Sequence, residues 1–236
     1  MAAERSLLGN PMTLLDAIWT ALGEQLRHPS GRWGRVVGHA MSVANRRPNR
    51  LAIEALKLAP ADIVLELGFG PGWALAELVR LAPRGHVLGI DQSAAMLIQA
   101  RRRNHRAIGR GQLDLRRGRF DALPWPTASI DKILAVNVGY FFGCDGAEIR
   151  EARRVLRPGG ALVVYATDRS TMSRWKFAGA GTHRQLDADV LAGLLVRAGF
   201  AAPDIRVDRA DIGFGVRGIM ARASTPANRS SGAAAN

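Results

Sequence analysis

Three glycines at alternate positions, Gly68, Gly70 and Gly72, follow an apolar segment, 62–67, that has the composition of a β-strand. Glycine adopts positive φ angles and has no Cβ, so a turn of this kind can be tight and can bring a ligand against the backbone. The amides of the turn and of the helix expected after it favour a negatively charged group. Glu66, near the end of the strand, could hold a positive one. The segment is therefore expected to bind a nucleotide-like ligand that carries both charges.

A second acid extends this site. Asp91 directly follows the next predicted strand, 23 residues after Gly68, and a carboxylate at this point of an α/β fold accepts hydrogen bonds from the hydroxyls of a ribose. The segment 118–125 follows the third strand and offers a purine ring an apolar surface and backbone amides. The glycine spacing argues against two other nucleotide loops. Trp73 stands where a G-x-G-x-x-G loop has its third glycine, and the Gly-Lys-Ser/Thr of a P-loop is missing.

The elements that must position these residues alternate along the chain. Strand patterns occur at 62–67, 86–90, 112–117, 131–136, 161–167, 204–211 and about 214–222, and helical patterns at 73–81, 93–103, 145–156 and 187–198. This order predicts an α/β fold with a Rossmann-like, seven-stranded, mostly parallel sheet and helices on both faces. The residues 211–213 between the last two strands predict a hairpin, and with it an antiparallel edge strand.

The chain is expected to divide into three parts. Residues 1–59 carry amphipathic patterns at 11–27, about 33–45 and 49–58 and are expected to form a helical lid that shelters a substrate. Residues 60–223 hold the α/β core. Residues 224–236 have the composition of a disordered tail.

The formal net charge of +13 indicates an anionic partner, such as nucleic acid or a membrane surface. Only three of the 33 basic residues are lysines, and this arginine bias is equally typical of a GC-rich genome. Six arginines and no acid lie between Glu24 and Glu54, with Trp19 and Trp33 nearby. These predicted helices either contact a membrane surface peripherally or present a solvated basic face.

Other features limit the location and the chemistry. No apolar run approaches the ~20 residues of a membrane span, and the first residues lack a signal pattern. Cys144 is the only cysteine, which fits a reducing cytoplasm. We therefore expect a cytoplasmic protein, with peripheral membrane contact as an alternative. The five histidines show no metal-ligand spacing, so no metal is expected.

Taken together, these motifs resemble the class I S-adenosylmethionine-dependent methyltransferases of the broad small-molecule type. The matching segments are 66–72 (ELGFGPG), 89–97 (GIDQSAAML), 123–126 (LPWP) with 129–131 (SID), 151–160 (EARRVLRPGG) and 186–200. They cover about residues 60–222 in the family's order and spacing. The resemblance implies S-adenosylmethionine as cofactor and S-adenosylhomocysteine as product.

The resemblance also implies roles for the site residues. The backbone at Gly68, Gly70 and Gly72 is expected beside the methionine part of the cofactor, Glu66 near its ammonium, Asp91 on the ribose hydroxyls, Gln92 and Met96 beside the adenine, Phe120 and Asp121 at the adenine edge, and Asn137 at the border of the site. The family often has an acid where this chain has Arg119, which offers no acceptor. Asp121 either replaces that acid or caps a turn.

No residue stands out as a catalytic base. His39 in the predicted lid, His183 before the last helix and Tyr140 after the fourth strand are candidates, and each is equally explained as a structural residue. Tyr140, Phe141 and Phe142 lie where the family's fold opens toward the methyl acceptor, and such rings can surround a cation.

The leading interpretation is an enzyme that methylates nitrogen or oxygen of a small or lipid-like acceptor, such as a natural product or a phospholipid head-group amine. A nucleic-acid methyltransferase is the first alternative. It is not favoured, because 137–140 reads Asn-Val-Gly-Tyr rather than the Asn/Asp-Pro-Pro-aromatic motif of that branch. The second alternative is a non-catalytic module that binds S-adenosylmethionine or lipid.

Overall fold

The computed structural model describes residues 45–178 and 183–227. The strands of this part are β1 (Ile63–Leu67), β2 (His86–Asp91), β3 (Leu113–Arg117), β4 (Ile130–Val136), β5 (Leu156–Thr167), β6 (Ile205–Gly213) and β7 (Val216–Ser224). Its α-helices are α1 (Arg46–Leu56), α2 (Trp73–Leu81), α3 (Ala94–Arg103), α4 (His105–Gly109), α5 (Ala147–Val155), α6 (Arg169–Met172) and α7 (Ala188–Arg197).

The strands form one seven-stranded sheet in the order β3-β2-β1-β4-β5-β7-β6. β1 to β5 pair in parallel, and β7 runs antiparallel to both β5 and β6. The predicted α/β fold with an antiparallel pairing at one edge is therefore confirmed. The chain moves outward from β1 in one direction and from β4 in the other, so a crevice opens where their carboxyl ends lie side by side.

Helices cover both faces of the sheet. One face is packed by α1, α2 and α3 through buried residues that include Leu56, Leu75 and Met96. The other face is packed by α5 and α7, through residues that include Ile149 and Leu194. Strands buried on both faces consist almost entirely of apolar residues, which is why the middle strands appear as continuous apolar runs in the sequence.

Helix α1 begins earlier than the sequence predicted. A break was expected around Pro48, whereas the helix starts at Arg46 and carries Pro48 in its first turn. Proline is tolerated there because an amide in the first turn has no partner within the helix. The helix buries Ala52 and Leu56 completely against the sheet. The third helix of the predicted lid thus packs on the core, and residues 1–44, with the first two predicted helices and His39, lie outside the described residues.

The carboxyl-terminal hairpin also differs in detail from the prediction. β6 extends to Gly213, and the turn falls on Phe214 and Gly215, both with positive φ. β7 continues to Ser224, one residue past the boundary predicted for the core, and the Thr225 amide donates to the carbonyl of Gly160 at 3.0 Å. Within 45–178 and 183–227, no helix is long and apolar enough to cross a membrane.

Candidate active site

The glycine loop connects β1 to α2 with three positive φ angles, +69° at Gly68, +52° at Gly70 and +80° at Gly72. A Cβ at Gly68 would lie 2.7 Å from Val138, and one at Gly72 would lie 2.7 Å from the Asn104 amide nitrogen. A Cβ at Gly70 would meet nothing within 4 Å. Gly68 and Gly72 are therefore required by packing, whereas Gly70 faces open space that a ligand can occupy.

Asp91 is hydrogen-bonded to the loop. Its Oδ2 accepts from the Gly70 amide at 2.9 Å and its Oδ1 from the Ser93 amide at 2.8 Å. The side chain is buried, and this burial raises the pKa of Asp91 to about 6 although the backbone hydrogen bonds favour the charged form. A carboxylate oxygen has two lone pairs, so the group can still accept bonds from ligand hydroxyls.

Glu66 lies one strand away and is also buried. Its Oε2 has no hydrogen-bond partner among the described residues. Burial raises the pKa of Glu66 well above its usual value, and the charge of Asp91 raises it further. A buried carboxyl without a partner is costly, and a cation placed beside it would relieve that cost. These two acids, with the open space at Gly70, fit a ligand that has an ammonium and a ribose.

Two side chains hold the loop from outside. The guanidinium carbon of Arg103 lies 3.7 Å from the centroid of the Trp73 ring, and its Nε donates to the Pro71 carbonyl at 3.0 Å. The amide of Asn104 donates to the Gly72 carbonyl at 3.0 Å. The sequence motifs did not indicate these contacts. Trp73 served there only to argue against another glycine motif.

The residues that were expected to contact the adenine lie near the carboxyl ends of β2 and β3. Met96 is buried on α3, and Gln92 is half-buried with its carbonyl accepting from the Arg117 Nε at 3.1 Å. Phe120 is buried, and its ring meets the Phe142 ring edge-on at 6.3 Å between centroids. Their roles beside a cofactor stay predictions.

Arg119 and Asp121 form a bidentate ion pair, which the sequence analysis did not predict. The Arg119 Nε donates to Asp121 Oδ1 at 2.8 Å, and the Arg119 Nη2 donates to Oδ2. This partner lowers the pKa of Asp121. Both oxygens of Asp121 already accept a hydrogen bond, so a bond to an adenine amino group would use the remaining lone pairs.

Asn137 joins three elements at the carboxyl end of β4. It has a positive φ of 53°. Its amide nitrogen donates to Oδ1 of Asn45 at 2.7 Å, and its Oδ1 accepts from the Tyr140 hydroxyl at 2.7 Å and from the Thr167 amide at 3.2 Å. The Thr167 amide also donates to the Tyr140 hydroxyl. Asn137 therefore fixes the start of α1 and the end of β5 beside the crevice.

Of the candidate bases, Tyr140 and His183 lie within the described residues. Burial raises the pKa of Tyr140 above its usual value, so its hydroxyl stays protonated and donates to Asn137. The His183 ring centroid lies 5.8 Å from that of Tyr140 and 5.1 Å from that of Phe141. His39 is not among the described residues.

A cavity of about 620 Å³ opens next to this network, between the start of α1, the ends of β4 and β5 and the β6–β7 hairpin. Its lining is mostly apolar and aromatic with a few polar groups, in a volume that suits a small-molecule ligand. The lining residues are Asn45, Arg46, Arg47, Pro48, Asn137, Tyr140, Phe141, Tyr165, Thr167, Met172, Trp175, His183, Ile212, Gly213, Phe214 and Val216.

Sequence reasoning placed Asn137, Tyr140 and His183 near this region but missed Asn45, Tyr165 and Thr167. Thr167 is the last residue of β5, and polar residues at the carboxyl ends of strands are a signal that could have included it. Asn45 contacts Asn137 across 92 residues of chain, and no local pattern indicates such a contact.

A family model described as a methyltransferase domain matches residues 64–160. The uncharacterized methyltransferase YdaC of Bacillus subtilis is 31% identical over 172 residues, which are 72% of this chain and 89% of that protein. The chain therefore belongs to the S-adenosylmethionine-dependent methyltransferases. Its cofactor is S-adenosylmethionine, which the buried acids and the open loop fit.

Two further proteins with named acceptors are similar to this chain, one in sequence and one in fold alone. Malonyl-acyl-carrier-protein O-methyltransferase of Legionella pneumophila is 29% identical over 168 residues, 69% of this chain and 58% of that protein. Phosphoethanolamine N-methyltransferase 2 of Haemonchus contortus, solved with phosphomonomethylethanolamine and S-adenosylhomocysteine, superposes with a TM-score of 0.64 at 12% identity over 77% of this chain and 53% of that one. This chain thus spans little more than half of either protein, and the second likeness concerns the fold alone.

Proposed function

We propose that this protein transfers the methyl group of S-adenosylmethionine to a nitrogen or oxygen of a small or lipid-like acceptor bound in the 620 Å³ cavity. The observation that carries the proposal is the position of Asn137. It belongs to the cavity lining and directly follows β4, the strand beside β1 and its cofactor loop. An acceptor in the cavity would therefore lie next to the crevice that holds the cofactor.

The cofactor supplies a methyl group that is already activated on a sulfonium. In this proposal Glu66 holds the ammonium, Asp91 accepts bonds from the ribose and the Gly70 backbone borders the methionine part. The protein's own work is to align the two reactants and to keep water out, and alignment of this kind contributes about 7–11 kcal/mol in favourable cases.

Tyr140 and His183 take different roles in this proposal. Tyr140 is a positioning residue, because its buried hydroxyl fixes Asn137 and remains protonated at neutral pH. Among the described lining residues, only His183 belongs to a side-chain type that titrates near neutral pH. His183 would therefore accept the proton of a hydroxyl acceptor, whereas an amine acceptor only has to arrive neutral.

The relatives support methyl transfer without selecting the atom, since one is named for O-methylation and another for N-methylation. Nucleic acid is a poorer candidate, because residues 137–140 lack the Asn/Asp-Pro-Pro-aromatic motif of the branch that methylates amino groups of nucleic acids. A non-catalytic binding module would have the same cofactor site and differ only in turnover.

The test combines binding with turnover. Calorimetry would measure S-adenosylmethionine affinity, and the purified protein would then be incubated with the labelled cofactor and a panel of amines, phenols, carboxylic acids, phospholipids and transfer RNA. We expect S-adenosylhomocysteine to form with a small or lipid-like acceptor. Tight cofactor binding with no product on any acceptor would instead identify a binding module, and product with transfer RNA alone would identify the nucleic-acid alternative.

A further inference from the structure

We infer that the acceptor is an amphipathic anion, with a carboxylate or phosphate bound at the start of α1 and an apolar body along the cavity wall. The inference rests on the proposed function, since it names the class of molecule that the cavity takes. Three independent features of the lining support it: its charge, the state of the α1 terminus and one buried hydroxyl.

The charged residues of the lining are all basic or potentially basic. Arg46 and Arg47 lie at the cavity mouth, and no aspartate or glutamate is among the described residues that line it. Neither arginine forms an ion pair with a described residue. Arg47 donates instead to the Ile212 carbonyl at 3.1 Å, and the Arg46 guanidinium lies 5.9 Å from the Trp73 centroid. Both retain donors for a ligand, since a guanidinium has five.

Within the described part of the chain, the amino terminus of α1 also has no side-chain cap. The cap residue Asn45 makes no side-chain hydrogen bond to the helix, because its Oδ1 accepts from Asn137. The first turn contains no acidic residue. An eleven-residue helix presents partial positive charge at this end, which an anion at the cavity mouth would stabilise.

The third feature is the hydroxyl of Tyr165, a buried polar group that has no hydrogen-bond partner among the described residues. The Tyr165 side chain is fully buried on β5 and lines the same cavity. A buried hydroxyl that stays without a hydrogen bond is unfavourable. Burial has the largest effect on the pKa of Tyr165 and raises it to about 12, whereas the side chain of Thr167, which lies beside the hydroxyl without forming a hydrogen bond of normal geometry, lowers it. The hydroxyl is therefore a donor at neutral pH and suits a ligand oxygen.

The rest of the lining defines the apolar body. Met172 and Trp175 lie on one side of the cavity, and Ile212 and Val216 on the hairpin side. An acceptor made only of polar groups would leave these surfaces unmatched, whereas an alkyl or aryl body would bury them. The combination of a basic mouth and an apolar wall therefore selects a molecule with one anionic end.

The experiment compares probes that share one alkyl chain: decanoate, decyl phosphate, decanol and decylamine. Binding to the full-length protein is measured by calorimetry with S-adenosylhomocysteine present. We expect both anions to bind at least tenfold more tightly than decanol or decylamine. Equal affinities for the four probes, or no binding of either anion, would overturn the inference.

Variants locate the binding site of the anion. Replacing both arginines, Arg46→Gln with Arg47→Gln, should weaken the anions at least tenfold and leave decanol unchanged, and Tyr165→Phe should weaken them severalfold. Arg50→Gln is the matched control, because Arg50 lies on the same helix outside this lining and pairs with Glu54. If the arginine variant binds the anions as the wild type does, the site lies elsewhere and the inference is wrong.

These outcomes are separable from those of the proposed function. If anions bind as expected but no acceptor is methylated, the anion site stands and the methyltransferase proposal fails. If neutral acceptors are methylated while anions do not bind, the methyltransferase proposal stands and the present inference fails. Cofactor affinity, measured for each variant, shows whether the cofactor site is intact.

Discussion

The amide of Gly70 donates a hydrogen bond of 2.9 Å to Oδ2 of Asp91, which joins the glycine loop after β1 to the acid that ends β2. This bond sets the position of the loop relative to the carboxylate. Glu66 lies on β1 opposite Gly89, two residues before Asp91. The two buried acids and the loop therefore form one unit. Burial of the acids is unfavourable, and a cationic ligand bound beside them would offset this cost.

The raised pKa of Asp91 predicts how stability depends on pH. The pKa of Asp91 is about 6 in the folded state and near 3.8 in the unfolded chain. Ionisation of Asp91 therefore destabilises the fold as the pH rises between these values. The loss of folding stability is small below pH 4 and reaches its full value of about 3 kcal/mol above about pH 6.

Asp91→Asn isolates this contribution, because asparagine does not titrate. The unfolding free energy of both proteins is measured by urea titration at pH 4.5 and pH 7.5. Relative to the variant, the wild type should lose about 2 kcal/mol between the two values. A stability difference between wild type and variant that does not change with pH would contradict the assigned burial cost.

Two of the loop glycines, Gly72 and Gly70, should respond differently to substitution by alanine. Gly72→Ala places a Cβ 2.7 Å from Asn104 and 2.8 Å from Ala100, so we expect a loss of stability of about 1–3 kcal/mol. Gly70→Ala meets nothing within 4 Å and should cost only about 1 kcal/mol for its positive φ, yet its Cβ enters the space assigned to the cofactor.

Gly111→Ala is the control for Gly70→Ala. Gly111 has a φ of +68° and also meets nothing within 4 Å, but it lies between α4 and β3. Thermal unfolding should show similar small losses for both variants, whereas calorimetry should show weakened S-adenosylmethionine binding for Gly70→Ala alone. Equal cofactor affinity in these two variants would remove the Gly70 backbone from the site.

Glu66 should behave as a residue kept for binding at a cost in stability. Glu66→Gln removes a buried ionisable group and should leave the melting temperature equal or higher, while S-adenosylmethionine affinity falls at least tenfold. Glu77→Gln is the control, since Glu77 is a half-buried acid that pairs with Arg80 away from the glycine loop. An unchanged cofactor affinity in Glu66→Gln would mean that the ammonium binds elsewhere.

Tyr140 and His183 can be distinguished by the pH dependence of methyl transfer. Tyr140→Phe removes a donor to Asn137 and should lower the rate without moving the pH profile, because the hydroxyl does not ionise in the working range. With a hydroxyl acceptor, His183→Gln should lower the rate and change the shape of the pH profile, because the variant lacks the proposed proton acceptor. A profile that shifts in Tyr140→Phe and stays fixed in His183→Gln would reverse these roles.

The sequence predicted most of the strand and helix boundaries because apolar runs, glycines and caps are local signals. The start of α2 at Trp73 and the ends of β4 and α2 agree with the predicted boundaries, and Ser93 and Asp187 cap α3 and α7 with their side chains. β5, like α1 and the carboxyl-terminal hairpin, differs from the prediction. It begins at Leu156 instead of 161, because Leu156 pairs with Ile130 ahead of an irregularity in the ladder.

What the sequence missed depends on contacts between distant segments. The stacking of Arg103 on Trp73, the bond between Asn45 and Asn137 and the buried Tyr165 hydroxyl each require the folded sheet to bring two elements together. The positions of Glu66, the loop glycines and Asp91 at neighbouring strand ends were predictable because these residues follow fixed motifs, and their roles toward the cofactor stay predictions. The acceptor side was not, since the cavity is assembled from α1, two strand ends and a hairpin that carry no shared motif.

The central claim is that Asp91 and the glycine loop bind S-adenosylmethionine, and the most direct test is calorimetric titration of the cofactor into wild type and Asp91→Ala at pH 7.5. Asp114→Ala serves as the control, because Asp114 is a half-buried acid of β3 that pairs with Arg116 away from the loop. We predict an affinity at least tenfold weaker for Asp91→Ala and unchanged for Asp114→Ala. An Asp91→Ala protein that is folded and binds the cofactor as tightly as the wild type would contradict the account.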